Sequence, residues 1–136
     1  MANMKVEEVE GIGPSNGTKL GGAGIKDTDT LLKLCCDKKG RKETAEKSGI
    51  SEGQLLKWAN MCDLFRIKGV GPEYAELLEA AGVDTVKELR NRNAANLAEA
   101  CAKVNQQKKL TRSVPSEKVV TGWVDQAKDL PPVITH

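Results

Sequence analysis

Two short motifs in this sequence have the residue types of an anion-binding bend. Gly11-Ile12-Gly13-Pro14 and Gly69-Val70-Gly71-Pro72 share the order glycine, apolar residue, glycine, proline. The glycines allow a sharp turn between two helices and leave space beside the backbone. The helix that follows presents unpaired N–H groups and a partial positive charge at its first turn. A phosphate oxygen binds in such a place, and the contact reads no nucleotide sequence.

The residues that follow the two motifs differ in charge. After the first motif come hydroxyls, an amide and one cation, whereas Glu73, in the first turn after the second motif, repels phosphate. The residues predicted to contact nucleic-acid backbone are Gly11, Ile12, Gly13, Ser15, Asn16, Thr18 and Lys19. Gly69, Val70 and Gly71 are predicted to be structural or to face a protein partner. For both motifs the competing interpretation is a tight turn that only sets how two helices cross.

Two clusters of basic residues could extend the phosphate contacts. The first cluster consists of Lys38, Lys39, Arg41 and Lys42, and a second consists of Lys103, Lys108, Lys109 and Arg112. Such clusters are usually solvated surface, but beside a phosphate-binding bend they add salt-dependent affinity. We include the first cluster in the predicted interface. The net charge of +2 is nevertheless small for a nucleic-acid-binding protein, and this argues for a protein partner instead.

A helix-turn-helix interpretation competes for residues 41–60. Ala45, Gly49, Leu55 and Trp58 have the spacing of two helices packed across a three-residue turn. The recognition helix would then be Ser51–Asn60, and it would offer Gln54, Lys57 and Asn60 to the bases. Trp58 recurs later in the chain as Trp123, which favours a packing role for it, so base-specific recognition is the weaker interpretation.

The residue inventory argues against catalysis and metal binding. The only histidine is His136, and the four cysteines, Cys35, Cys36, Cys62 and Cys101, include no C-x-x-C pair. We therefore expect no enzymatic activity, no cofactor, no metal and no small-molecule substrate. The stretch Met1–Glu10 has no secretory signal, and no apolar run approaches the roughly 20 residues of a membrane span. We expect a cytoplasmic protein with buried, free thiols and no membrane partner.

The sequence contains an internal repeat. An offset of 58 pairs Gly11 with Gly69, Leu20 with Leu78, Gly24 with Gly82 and Ile25 with Val83. An offset of 65 pairs Ser51 with Ser116, Leu55 with Val120 and Trp58 with Trp123. The seven additional residues fall in the polar stretch Asn105–Pro115. We predict tandem repeats over residues 5–66 and 67–130, followed by a tail over residues 131–136.

Each repeat is predicted to contain only helices. The helices expected in the first repeat are Met4–Glu10, Pro14–Gly24, one capped by Thr28, Arg41–Ser48 closed by Gly49, and residues 52–65 capped by Ser51. In the second repeat, Thr85 is expected to cap a helix, and Pro131-Pro132 is expected to end the fold. No stretch alternates with a period of two, so no strand is predicted. The predicted fold is all-α, a compact bundle of two helix-hairpin-helix (SAM/HhH-like) units.

Several segments resemble a known bacterial family. They are Gly40-Arg41-Lys42-Glu43, Gly49-Ile50-Ser51, the run Asn60–Gly69, Val83-Asp84-Thr85-Val86 and Trp123–Lys128. Over about residues 5–132 the chain resembles domain of unknown function 4332, within the helix-hairpin-helix superfamily. The resemblance implies a duplicated helix-hairpin-helix fold and sequence-independent contact with DNA backbone, and it supplies no catalytic residue. The sequence departs from the superfamily pattern at Gly17, where alanine is usual, and at the acidic second motif.

These observations lead to two functional expectations. The first is a non-enzymatic module that contacts nucleic acid, DNA above all, through its backbone and the first glycine motif. The alternative is a scaffold that binds an unidentified protein, with both motifs purely structural. An affinity that falls steeply with salt would distinguish the first from the second.

Overall fold

The computed structural model describes residues 3–136, and its regular secondary structure consists of helices. A short 3-10 helix, Val6–Glu8, precedes the α-helices. These are α1 (Gly13–Gly22), α2 (Thr28–Cys35), α3 (Lys38–Ser48), α4 (Glu52–Leu64), α5 (Pro72–Ala80), α6 (Val86–Leu89), α7 (Ala94–Lys108) and α8 (Glu117–Asp129). Within residues 3–136 the only extended pairing is an isolated bridge between Lys5 and Asp27. The all-α prediction is confirmed.

Contacts divide the chain into two units. The first unit extends to Asp63 and also includes Val133–His136, whereas the second unit is Leu64–Pro132. The helix-hairpin-helix duplication over residues 5–66 and 67–130 stays a prediction. None of the helices in the described residues is long and apolar enough to cross a membrane.

The first unit is built around apolar side chains that recur at helical spacing. Those fully buried include Val6, Leu20, Ile25, Leu31, Leu55 and Trp58. Asp27 caps α2 by accepting a hydrogen bond from the backbone N–H of Thr30 at 2.8 Å, and these contacts lower the pKa of its carboxyl group. Thr28 is therefore the first residue of α2 rather than its cap. The predicted helix Met4–Glu10 is reduced to the three residues of the 3-10 helix.

The second unit follows its local sequence signals closely. Thr85 caps α6 as predicted, because its hydroxyl accepts the N–H of Glu88 at 3.2 Å. Asn93 caps α7 and Ser116 caps α8 in the same way. The buried side chains include Leu77, Leu78, Leu89, Cys101, Val120 and Trp123. The helix-spaced apolar residues of α5–α8 thus enclose a core within the unit.

The C-terminal segment Val133–His136 packs in the first unit. Helix α8 ends before Pro131-Pro132, but the chain beyond the prolines is not a loose tail. The side chain of Ile134 is buried, and the N–H of Thr135 donates to the carbonyl oxygen of Cys36 at 2.8 Å. The expectation that the fold ends at the prolines overlooked this long-range contact.

Candidate nucleic-acid interface

The bend at Gly11–Ser15 is open to solvent. The N–H of Ile12 donates to the carbonyl oxygen of Val9 at 3.2 Å and closes the turn. Gly11 and Gly13 have φ angles of 91° and 66°. Gly11 and Ser15 are exposed, and a Cβ atom at Gly13 would meet nothing within 4 Å. The backbone of the bend is therefore accessible to a ligand.

Helix α1 begins at this bend without a side-chain cap. Pro14 lies in the first turn, and that turn contains no acidic residue. The N–H groups of an uncapped first turn attract anions through hydrogen bonding and the helix dipole. The geometry thus keeps the first turn of α1 available to an oxyanion.

The side chains predicted to contact phosphate divide into exposed and buried residues. Ser15, Thr18 and Lys19 are exposed and Asn16 is half-buried. The hydroxyl of Thr18 already donates to the carbonyl oxygen of Pro14 at 3.0 Å. Ile12 is 2 % exposed, so its side chain belongs to the core and only its backbone can face a ligand.

The carboxylate of Glu7 lies close to helix α1, although α1 itself contains no acidic residue. Gly17 is buried because the side chain of Glu7 packs over it: a Cβ atom at Gly17 would lie 2.5 Å from Oε1 of Glu7. Sequence reasoning missed this contact. The signal was the glycine at position 17, where a helix interior favours alanine.

Arg41 is not available to bind phosphate. Its side chain is 3 % exposed, and its guanidinium group donates to the carbonyl oxygens of Cys35 at 3.0 Å and Thr135 at 2.8 Å. Its inclusion in the predicted interface was therefore wrong: burial and two backbone acceptors make it a structural residue. A basic run in sequence does not show which of its members points inward.

The lysines of the first basic cluster remain on the surface. Lys38, Lys39 and Lys42 are exposed on α3, and α3 packs against α1 and α2 within the first unit. Together with Lys19 on α1, they are carried by two helices in contact. In the second basic cluster, Lys103 lies 3.5 Å from the carboxylate of Glu99, and the other members are exposed.

The second bend has a different backbone and different neighbours. Gly69 has a φ of 93°, but Gly71 is extended, with a φ of −100°, and forms the N-cap of α5. Val70 is buried, and Glu73 is exposed in the first turn. A negative charge at this turn occupies the positive end of the helix dipole. The second bend is therefore less favourable to an oxyanion.

A tryptophan lies beneath the first glycine of each bend. A Cβ atom at Gly11 would lie 3.8 Å from Nε1 of Trp58, and one at Gly69 would lie 3.3 Å from Nε1 of Trp123. Both indoles are buried, which confirms the predicted packing role. Trp123 also contacts the ring of Tyr74, with centroids 5.2 Å apart. The N–H of Trp58 has no hydrogen-bond partner among the described residues.

The environment of α4 argues against the helix-turn-helix interpretation. Ser51 does cap the helix, accepting the N–H of Gln54 at 3.2 Å. Asn60, however, is 8 % exposed and cannot reach a base edge. A recognition helix needs an exposed face of side chains that enter the groove.

Three of the four thiols are poorly suited to nucleophilic or metal chemistry. Cys35, Cys62 and Cys101 are buried, as predicted, but Cys36 is half-exposed. Burial raises the pKa of Cys35 and Cys62, and it raises the pKa of Cys101 to about 11. These thiols are therefore protonated at neutral pH. No group of side chains within residues 3–136 has the arrangement of a metal site.

Comparison with known proteins gives one match. No curated protein and no solved structure matches the chain. The family described as "Domain of unknown function (DUF4332)" matches residues 10–130, which include both glycine bends and all eight α-helices from α1 to α8. The chain therefore belongs to the DUF4332 family.

Proposed function

We propose that this protein is a non-enzymatic module that binds nucleic-acid backbone, DNA above all, through its first glycine bend. The observation that carries the proposal is the open, uncapped first turn of α1, which has no acidic residue. Backbone N–H groups at such a turn bind phosphate oxygens in any sequence context. The contact would therefore be independent of nucleotide sequence.

Exposed lysines supply the charge that the bend itself lacks. Lys19 lies on α1, and Lys38, Lys39 and Lys42 lie on α3, which packs against α1. Each phosphate neutralised by such a residue releases counterions, and the logarithm of the binding constant then falls by about 0.9 per phosphate for each tenfold rise in salt. With Arg41 buried, we expect a small number of phosphate contacts and hence modest affinity.

We also propose that the two units are tandem helix-hairpin-helix copies. The parallel positions of Trp58 beneath Gly11 and Trp123 beneath Gly69 support the duplication. Each unit also has a glycine with a left-handed backbone shortly after the helix that follows its bend. These glycines are Gly24 after α1 and Gly82 after α5. The copies then differ in function, since only the first bend lacks an acidic first turn.

Reversal of single charges tests the proposed function. Fluorescence anisotropy with a labelled duplex would be measured at two salt concentrations for the native chain, Lys19→Glu and Glu73→Lys. We expect Lys19→Glu to weaken binding at least several-fold, because it replaces an exposed cation with a negative charge on the helix that begins at the bend. The matched reversal, Glu73→Lys, should leave binding unchanged or strengthen it. Binding that survives Lys19→Glu intact would contradict the proposal.

A protein-binding scaffold is the second candidate. The net charge of +2 and the exposed Glu73 at the second bend suit a protein surface better than a phosphate surface. This function predicts no salt-dependent shift with duplex or single-stranded DNA, and co-purification with a defined protein that resists nuclease treatment. The same anisotropy titration therefore separates the two candidates.

A further inference from the structure

We propose that a cleft on the second unit binds an extended, uncharged segment of a partner protein. The proposal rests on a comparison with the first unit, where the equivalent corner of the fold holds the C-terminal segment of this chain. It rests on the proposed duplication of the two units, and it is independent of the glycine bends and of the proposed contact with nucleic acid.

The first unit shows how such a segment is held. Ile134 is buried, with 9 % of its surface exposed. The next residue, Thr135, is bound through its backbone on both sides: its N–H donates to the carbonyl oxygen of Cys36, and its own carbonyl oxygen accepts from Arg41, each at 2.8 Å. Recognition therefore combines main-chain hydrogen bonds with one buried aliphatic side chain, as in other complexes of extended peptides.

The two residues that hold Thr135 have clear positions in the fold. Cys36 immediately precedes Asp37, the N-cap of α3, and Arg41 is the fourth residue after that cap. In the second unit, Arg92 immediately precedes Asn93, the N-cap of α7, and Leu97 is the fourth residue after it. Both Arg92 and Leu97 line an open cleft of about 160 Å³. Counted from the two N-caps, the cleft therefore occupies the position in the second unit at which the first unit holds Thr135.

The cleft has the size for one side chain rather than a small-molecule ligand. Its remaining lining residues are Ala81, Asn91, Asn93, Asn96 and Ala100. Small-molecule sites usually enclose about 300–1,000 Å³, whereas a cavity of about 150 Å³ accommodates a single benzene ring. A volume near 160 Å³ therefore fits one branched aliphatic side chain, such as the isoleucine held in the first unit.

The chemistry of the lining specifies an uncharged segment. The guanidinium group of Arg92 is already committed to the carboxylate of Glu88 at 2.7 Å and the carbonyl oxygen of Gly82 at 2.9 Å. Leu97 stands at the position that Arg41 has in the first unit, so the cleft lacks the cation that binds the peptide there. The side-chain amides of the asparagines in the lining are the donors that remain. Asn96 is exposed at the rim, and no N–H in the described chain donates to the carbonyl oxygen of Arg92. That carbonyl can accept from the partner's backbone, as Cys36 does from Thr135.

The probe is the segment that the first unit already holds. The acetylated, amidated pentapeptide Pro-Pro-Val-Ile-Thr, with the sequence of Pro131–Thr135, would be titrated into the ¹⁵N-labelled full chain and followed by NMR. We expect saturable shifts at Arg92, Asn96 and Leu97, while the signals of Ile134 and Thr135 stay unchanged. Shifts confined to Cys36 and Arg41 would show that the probe only exchanges with the chain's own segment, and would overturn the proposal, as would the absence of saturable shifts.

Two substitutions on α7 form a matched pair. Ala100→Phe fills the cleft and should abolish the shifts, whereas Ala102→Phe places the same side chain at an exposed position on α7 and should leave them intact. If Ala100→Phe fails to fold by circular dichroism, Asn96→Ala at the exposed rim replaces it and should weaken binding several-fold. Undiminished binding in the cleft-directed variant contradicts the proposal. DNA binding should be equal in all these variants, so failure here is distinct from failure of the proposed function.

Discussion

The first and second glycine bends share a sequence motif but differ in backbone, charge and support. Gly13 has a φ of 66° and α1 has no acid in its first turn, whereas Gly71 is extended and Glu73 follows it. Behind the second bend Trp123 contacts Tyr74; at the position equivalent to Tyr74 the first bend has Asn16. The same motif can therefore support an anion site in one copy and a purely structural corner in the other.

The feature common to both bends is the buried indole, and its removal should have the largest effect. Trp58→Ala and Trp123→Ala should each lower the free energy of unfolding by about 3–5 kcal/mol, because truncation of a buried tryptophan leaves a cavity. Urea denaturation followed by circular dichroism measures this loss. Val119→Ala, at an exposed position of α8, is the control and should change little. A loss below about 1 kcal/mol in either variant would show that the bend does not depend on its indole.

The backbone difference between the bends predicts a smaller, asymmetric effect. Gly13→Ala should cost about 1–2 kcal/mol of stability, because alanine is strained at a positive φ. Gly71→Ala should change stability by no more than about 0.5 kcal/mol, because the loss of conformational freedom in the unfolded chain offsets the preference of an N-cap for glycine over alanine. The backbone of Gly71 is extended, and a Cβ atom there meets nothing within 4 Å. Thermal denaturation of the two variants compares them directly. Equal losses would mean that the bends have the same conformation.

The contact between Glu7 and Gly17 distinguishes the first bend from the second, where the equivalent positions are Phe65 and Ala75. It predicts the smallest effect. Gly17→Ala should gain up to about 1 kcal/mol of helix stability, but only after the Glu7 side chain has moved away. The gain should therefore be larger in a Glu7→Ala background. A double-mutant cycle on the free energy of unfolding should give a coupling of about 0.5 kcal/mol or more. Strict additivity would show that the two residues do not touch.

Local signals predicted much of the fold. The caps at Thr85 and Ser51, the left-handed Gly49 after α3, and the extent of α4 all follow from interactions within a few residues. The first predicted helix was too long, because its backbone instead pairs across the chain: the N–H of Val6 donates to the carbonyl oxygen of Lys26 at 3.1 Å. A contact across 20 residues leaves no periodic signal in the sequence.

The candidate site was predicted in part. The open bend and the exposed lysines follow the sequence analysis, but Arg41 and Glu7 do not. Arg41 occurs in a run of basic residues, and its neighbours are solvated while it is buried. Charge patterning gives the composition of a surface, but the direction of each side chain depends on which element packs against it.

The sequence alone determined the helical class, the positions of the glycine bends and the burial of both tryptophans, because helical periodicity and turn chemistry are local. Only the tertiary structure decided that Arg41 holds the C-terminal segment, that Glu7 covers Gly17, and that the corner before α7 is an open cleft. Each of these depends on residues far apart in the chain. Their proximity results from the packing of the whole unit, which no short window of sequence contains.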